Sequence, residues 1–238
     1  MNWKVPKIWD GGDAWIIGGG PSVPRQFDVP EHIIQKVING TLPPSAYSPY
    51  MALIHNEHVI GVNMAYKIGP WLDIVMFGDS GFFAKERAGL SQFPGLKISC
   101  NPTSKSERWV KTLNRDGQKS RGISENPTMV SWNGNTGAAT INLAVHLGAS
   151  RIFLLGFDMD IDPKNNMQHW HNLYSKGPVA PHDDRRRRKL PFGRHLQGFP
   201  VIAEDIKKRG VQIINVSPES TITCFPKMTV KQIFDERR

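Results

Sequence analysis

The sequence predicts an α/β domain built on a mostly parallel sheet with helices on both faces, and three observations predict it. Strand-like apolar runs alternate with helix-like runs along the chain. The run from Arg151 to Phe157 is apolar at nearly every position, as a strand buried on both faces must be. The first strand-like run, Trp15 to Ile17, breaks into Gly18-Gly19-Gly20-Pro21-Ser22 before a helix-like segment, which is a strand–turn–helix order.

The remaining elements follow in turn. "VPEHIIQKVING" carries helical spacing at Ile33, Ile34 and Val37, with Gly40 as its stop. "HVIGVNMAY" and "LDIVMFGDS" read as the second and third strands, the third ending at Gly78-Asp79-Ser80. "FFAKERAGLSQF" reads as a helix and "LKISC" as a strand. Residues 101–130 have a weak polar pattern and are expected to be an irregular surface excursion. Residues 137–147 are apolar nearly all round, the signature of a helix packed inside the domain, and Gly148 closes it. Residues 159–195 form a polar excursion long enough to be functional. "VIAEDIKKRG", "VQIINVSP" and "TVKQIFDERR" complete the pattern as helix, strand and helix.

At 238 residues the chain is read as one domain, residues 1–238, with a variable lid over about 159–195. No run of eighteen apolar residues exists and the start lacks a secretory pattern, so a cytoplasmic protein is expected. Cys100 and Cys224 lack metal-site spacing and read as reduced core residues. The net charge of +9 points to a polyanionic partner, whether nucleic acid, an anionic surface or a phosphorylated substrate. Residues 183–189 supply +3 of it, so the basicity is general as well as local.

In parallel α/β sheets ligands sit where strands end and helices begin. The polar clusters at Gly18 to Ser22, Asn63, Asp79 and Asp158 all fall at expected strand ends. The glycine turn permits close backbone approach to a phosphate, although it is neither a dinucleotide-binding fingerprint nor a Walker loop. Asn135, Thr136 and Gly137 open the apolar helix, where capping and anion binding use the same amides. Asp158, Asp160 and Asp162 alternate, yet Pro163 stands where an EF-hand needs glycine, and His169 where it needs glutamate. A carboxylate pair among them holding a divalent ion on a diphosphate is the remaining metal reading. His169, His171 and His195 are the candidates for a general base acting on a hydroxyl. Arg185, Arg186, Arg187 and Arg188 are candidate contacts to a phosphate-bearing acceptor.

Taken in order, "IIGGGPSV", "GVNMAY", "VMFGDSGFF", "NTGAATINLAVHLGASRIFLLGFDM" and "GVQIINVSPES" resemble a superfamily of Rossmann-like transferases. It includes bacterial lipooligosaccharide sialyltransferases and 6-hydroxymethylpterin diphosphokinase-like domains, and the chain resembles a phage-type member. The resemblance spares residues 101–130 and 159–195. It implies that Gly18, Gly19, Gly20, Pro21, Ser22, Asn63, Asn135, Thr136 and Gly137 surround a donor nucleotide, with Asp79 and Asp158 nearby. By chain position His195 matches the family's base, while His169-Trp170-His171 resembles the phage-type relatives. Gly19 and Gly78 stand where the sialyltransferases carry asparagine, and Asp79 looks more like the diphosphokinase-like branch. The implied activity is sugar transfer from a nucleotide sugar to an acceptor hydroxyl, on a glycan or a hydroxymethylated base in phage DNA. Metal-dependent diphosphate transfer to a pterin-like or other small alcohol, with Asp79 and Asp158 holding a divalent ion (Mg or Mn), is one alternative. A non-catalytic nucleic-acid-binding protein is another.

Overall fold

The computed structural model describes residues 3–174, 177–179 and 183–237. Its centre is a seven-stranded, wholly parallel sheet. In chain order the strands are β1 (Asp13–Ile17), β2 (His58–Val62), β3 (Ile74–Phe77), β4 (Leu96–Ser99), β5 (Val110–Thr112), β8 (Arg151–Leu155) and β9 (Gln212–Asn215). In space they run β5-β4-β3-β2-β1-β8-β9. β6 (Asn114–Arg115) and β7 (Met129–Val130) pair separately as a small two-stranded sheet. The predicted α/β class with a Rossmann-like parallel sheet is therefore the observed one.

Alternation along each strand builds two cores. Ala14 and Ile16 of β1 face one layer, and Trp15 and Ile17 face the other. Ile152 and Leu154 of β8 join the first, Phe153 and Leu155 the second. The first layer is closed by α3 (Thr136–Leu147) and α6 (Phe199–Lys207), through Ile141, Leu143, Phe199 and Ile202. The second is closed by α1 (Glu31–Ile38), α2 (Ser80–Gln92) and α7 (Val230–Asp235), through Ile34, Phe82, Phe83 and Ile233. Each fully buried Leu, Ile or Phe contributes about 1.5–3 kcal/mol, so these layers dominate the stability.

The strand order places the site. From β1 the chain steps outward through β2, β3, β4 and β5, then returns to lay β8 against the other side of β1. Loops leaving β1 and β8 part there, opening a crevice at their carboxyl ends. Gly18 and Gly156 meet in it: a Cβ on Gly18 would lie 2.7 Å from the Gly156 carbonyl oxygen.

Two excursions differ from their sequence reading. Residues 101–130 contribute the edge strand β5 and both strands of the small sheet. These strands are two or three residues long, too short to show a period of two. The 159–195 region carries two short helices, α4 (Asp184–Arg188) and α5 (Phe192–Leu196). The second predicted strand stops at Val62, because Asn63 takes a left-handed backbone (φ 51°) and starts a 3-10 turn over Asn63–Ile68. Among the described residues no helix is long and apolar enough to cross a membrane.

Candidate active site

A cavity of about 190 Å³ opens at the carboxyl ends of β8, β1, β2 and β3. Gly18, Gly19 and Gly20 form one wall, and Asn135, Thr136 and Gly137 form another. The Phe157 ring packs between them, within 3.2 Å of where a Cβ would stand on Gly18 and 3.0 Å of one on Gly137. The two segments that the sequence marks as phosphate cradles thus face one space.

The turn is held from behind. The Gly18 amide donates to the Leu155 carbonyl and the Gly20 amide to the Gly156 carbonyl, each at 2.8 Å. The Ser22 amide donates to Asp158 Oδ2 at 3.0 Å, and the Ser22 and Ser217 hydroxyls pair at 2.9 Å. Among the described residues the Gly19 amide has no acceptor, so it is the turn's available donor. Pro21 and Ser22, expected at the ligand, instead fasten the turn to the fold; Pro21 is buried and neither residue lines the cavity.

Asp158 is a second correction. It lies beneath the turn, where a Cβ on Gly20 would run into its carboxylate, and is absent from the cavity wall. Burial pushes its carboxyl above the usual range, against opposing hydrogen bonds from Ser22 and Ser217, and Oδ1 has no partner. Asp162 is spent on structure: it accepts from Arg25 at 2.8 Å and from the Lys164 amide at 3.0 Å. Asp79 and Asp160 do line the cavity, and Asp79 accepts from the Thr136 hydroxyl at 3.2 Å. Asp158 does not line the cavity that Asp79 lines, and no group of three or more His, Cys, Asp or Glu side chains suited to a metal occurs among the described residues. This donor set does not fit a protein-held Mg or Mn ion.

The helix start is built by Asn135. Its Oδ1 accepts from the Ala138 amide at 2.8 Å, an N-cap that leaves the amides of Thr136 and Gly137 ahead of any helical acceptor. Its Nδ2 donates to the His195 carbonyl at 3.3 Å, tying α5 to α3. Asn63 stands at the end of β2 on the cavity wall, with its Oδ1 buried and unpartnered.

The three histidines part company. His171 is buried, its Nδ1 accepts from the Leu173 amide at 3.2 Å, and it does not line this cavity. Burial, followed by the charges of His169 and Lys67, holds it neutral, well below the usual imidazole range. His195 lines the cavity, and burial and then Arg194 lower it to about 4. His169 lines this cavity and also a second one of about 170 Å³, and together with Gln168 forms the partition between them. Its Nδ1 lies 3.2 Å from the Gly19 carbonyl oxygen. A carbonyl only accepts, so Nδ1 carries the proton and Nε2 is the basic nitrogen.

Trp170, between these histidines, is a strap. Its indole N–H donates to the Gly18 carbonyl at 2.9 Å, and its amide to the Gly19 carbonyl at 3.1 Å. The Tyr47 hydroxyl holds the Trp170 carbonyl from the core side at 3.1 Å. The histidines of the long excursion reach the strand ends because this tryptophan is buried there.

The second cavity has Tyr174, Arg186, Lys189 and Leu190 on its walls. Arg186 donates to the carbonyls of Pro178 (2.8 Å) and Gly177 (3.1 Å), so it braces the loop rather than projecting with its neighbours. Arg185, Arg187 and Arg188 are exposed on α4. Sequence reasoning missed Trp132, Gln168 and Arg194, all on the wall of the first cavity. Of these only Trp132 carried a signal, as an aromatic three residues ahead of the Asn135 helix start.

No protein-family profile matches the chain, and no curated protein matches it in sequence. Among solved structures, the MAf glycosyltransferase from Magnetospirillum magneticum AMB-1 aligns over 97% of this chain with TM-score 0.58 and 12% identity. The alignment covers 36% of that protein, so this chain spans about a third of its length. Sialyltransferase CstII from Campylobacter jejuni, in complex with cytidine-5'-monophosphate, aligns over 96% of this chain and 86% of its own, with TM-score 0.46 and 12% identity. The same sialyltransferase with a trisaccharide acceptor and CMP aligns over 91% and 86%, with TM-score 0.44 and 13% identity. At such identities the likeness shows the fold alone, and this chain shares the fold of the part of the MAf glycosyltransferase that it overlays.

Proposed function

We propose that the chain, residues 1–238, is a single glycosyltransferase domain moving a sugar from a nucleotide-sugar donor to an acceptor hydroxyl. One observation carries this reading: the glycine turn and the Asn135 helix start face each other across one cavity. The donor's phosphates rest on the amides of Gly19, Thr136 and Gly137, reinforced by the positive end of α3. Asn63 Oδ1, buried without a partner, receives a hydroxyl or amine of the nucleotide.

The acceptor occupies the second cavity, and His169 on the partition is the general base. Its Nε2 takes the acceptor proton as that oxygen attacks the anomeric carbon. The bond from that carbon to the phosphate oxygen breaks with inversion, and the nucleotide leaves with its charge on the cradle amides. His195 is less suited to this step, since a base at about 4 is weak at neutral pH; it serves the donor side. The exposed Arg185, Arg187 and Arg188 favour an anionic acceptor, a glycan or DNA. Diphosphate transfer through a metal on Asp79 and Asp158 has no support, since the two carboxylates do not share the cavity.

A thermal-shift panel of CMP-, UDP- and GDP-linked sugars and ATP tests the reading, because a ligand bound to the native state raises Tm by mass action. One nucleotide sugar is expected to stabilise, and His169→Ala to abolish transfer while keeping that shift. A flat panel together with salt-sensitive DNA binding would instead establish the non-catalytic nucleic-acid-binding protein.

A further inference from the structure

We propose that Trp132 is the stacking platform for the base of the donor nucleotide, carried to the site by the small sheet of the 101–130 excursion. This deepens the nucleotide-sugar reading and rests on it. Three observations support it. Trp132 lines the cavity shared by the glycine turn and the Asn135 helix start. Its indole is fixed from one side by Arg115, whose guanidinium carbon lies 3.6 Å from the ring centroid. Arg115 is itself locked, donating to the Gly78 carbonyl at 2.6 Å and the Cys100 carbonyl at 3.2 Å.

The platform is built rather than incidental. Gly78 makes room for the ring: a Cβ there would come within 2.5 Å of Trp132 Cζ3. β6 supplies Arg115 and β7 leads into Trp132, so pairing of these strands brings cation and indole together. An indole held by a guanidinium on one face loses little freedom when a second planar group covers its open side.

Position along the sheet matches a nucleotide. The phosphate cradle lies at the end of β1, Asn63 at the end of β2, and Trp132 over Gly78 at the end of β3. Two strand spacings amount to about 10 Å, which suits a phosphate at one end and a base at the other. Stacking accepts any base because each has a π face. Trp132 therefore supplies affinity for the base, while hydrogen bonding from groups such as Asn63 selects among bases.

The test measures CMP, UMP, GMP and AMP against ribose 5-phosphate by isothermal titration, on wild type, Trp132→Leu and Trp132→Phe. For wild type, at least one nucleotide is expected to bind tighter than ribose 5-phosphate. Trp132→Leu should weaken that nucleotide by about 5- to 150-fold and leave ribose 5-phosphate unchanged, while Trp132→Phe keeps most of the preference. Should the leucine variant fail to fold, Trp132→Gln is read in the same way: loss of the preference with ribose 5-phosphate affinity retained supports the platform, and an unchanged preference overturns it. An unchanged nucleotide preference in the folded variants, or equal loss for both ligands, overturns the platform and leaves the donor reading standing. If no nucleotide binds wild type, the donor reading fails and the platform with it.

Discussion

Asn135 does two jobs with one carboxamide, and substitution separates them. Its oxygen caps α3 through the Ala138 amide at 2.8 Å, and its nitrogen holds the His195 carbonyl at 3.3 Å. Asn135→Ala removes both. Loss of an N-cap costs about 1 kcal/mol, and loss of the second hydrogen bond about 1 kcal/mol more. For a chain of this size each kcal/mol lowers Tm by roughly 2–4 °C, so a fall of about 4–8 °C is expected. Asn135→Ser keeps an equivalent cap oxygen but is too short to reach His195. It should recover about half of that loss while transfer remains impaired, since α5 is no longer tied to α3. Differential scanning calorimetry and a transfer assay on the two variants decide it. A shift below about 1 °C for the alanine variant, or identical melting of the serine and alanine variants, would refute the double role.

Three further outcomes are expected. Asp162→Ala removes a buried acceptor shared by Arg25 and the Lys164 amide; because Arg25 is a quarter exposed and keeps Glu31 at 3.8 Å, the cost should be about 1–3 kcal/mol by chemical denaturation. Asp158→Asn should retain transfer, because the carboxylate lies behind the turn. Its folded pKa is raised by burial, so wild type gives up stability as pH rises through that pKa; the asparagine variant should lack this slope in denaturation at low and neutral pH. His195, lowered from 6.5 to about 4, acts in the opposite sense: the unfolded chain binds the proton first, so stability falls as pH drops from about 6.5 to about 4. His195→Gln should flatten part of that decline, the rest belonging to other lowered histidines such as His171.

Much of this fold was legible because its strands and helices are long enough to show their periods. β1, α2, α3, β8 and β9 lie where alternation, helical spacing and glycine stops predict them. β5, β6 and β7 escaped notice because two or three residues cannot display a pattern; they exist through pairing with distant partners. The site divides in the same way. Gly19, Asn63, Asp79, Asn135, Thr136, Gly137, His169 and His195 all reach the cavity at the strand ends. Asp158 and His171 were indistinguishable from them in sequence, since burial behind a turn is decided by tertiary packing alone. Trp132 gave only a weak signal, as an aromatic three residues ahead of a helix start, because its approach to the cavity depends on a pair of very short strands.

The bond from the Trp170 indole to the Gly18 carbonyl reaches further than one loop. That carbonyl and the Gly19 N–H belong to the same flat, trans peptide unit, so they aim in opposite directions. Grasping the oxygen end with an indole fixes the heading of the hydrogen end, and draws electron density away from it. A lone amide thereby becomes a stiff and sharpened donor, aligned before any anion arrives. The loop bearing His169 and the Gly19 amide are thus two grips on a single rigid plate.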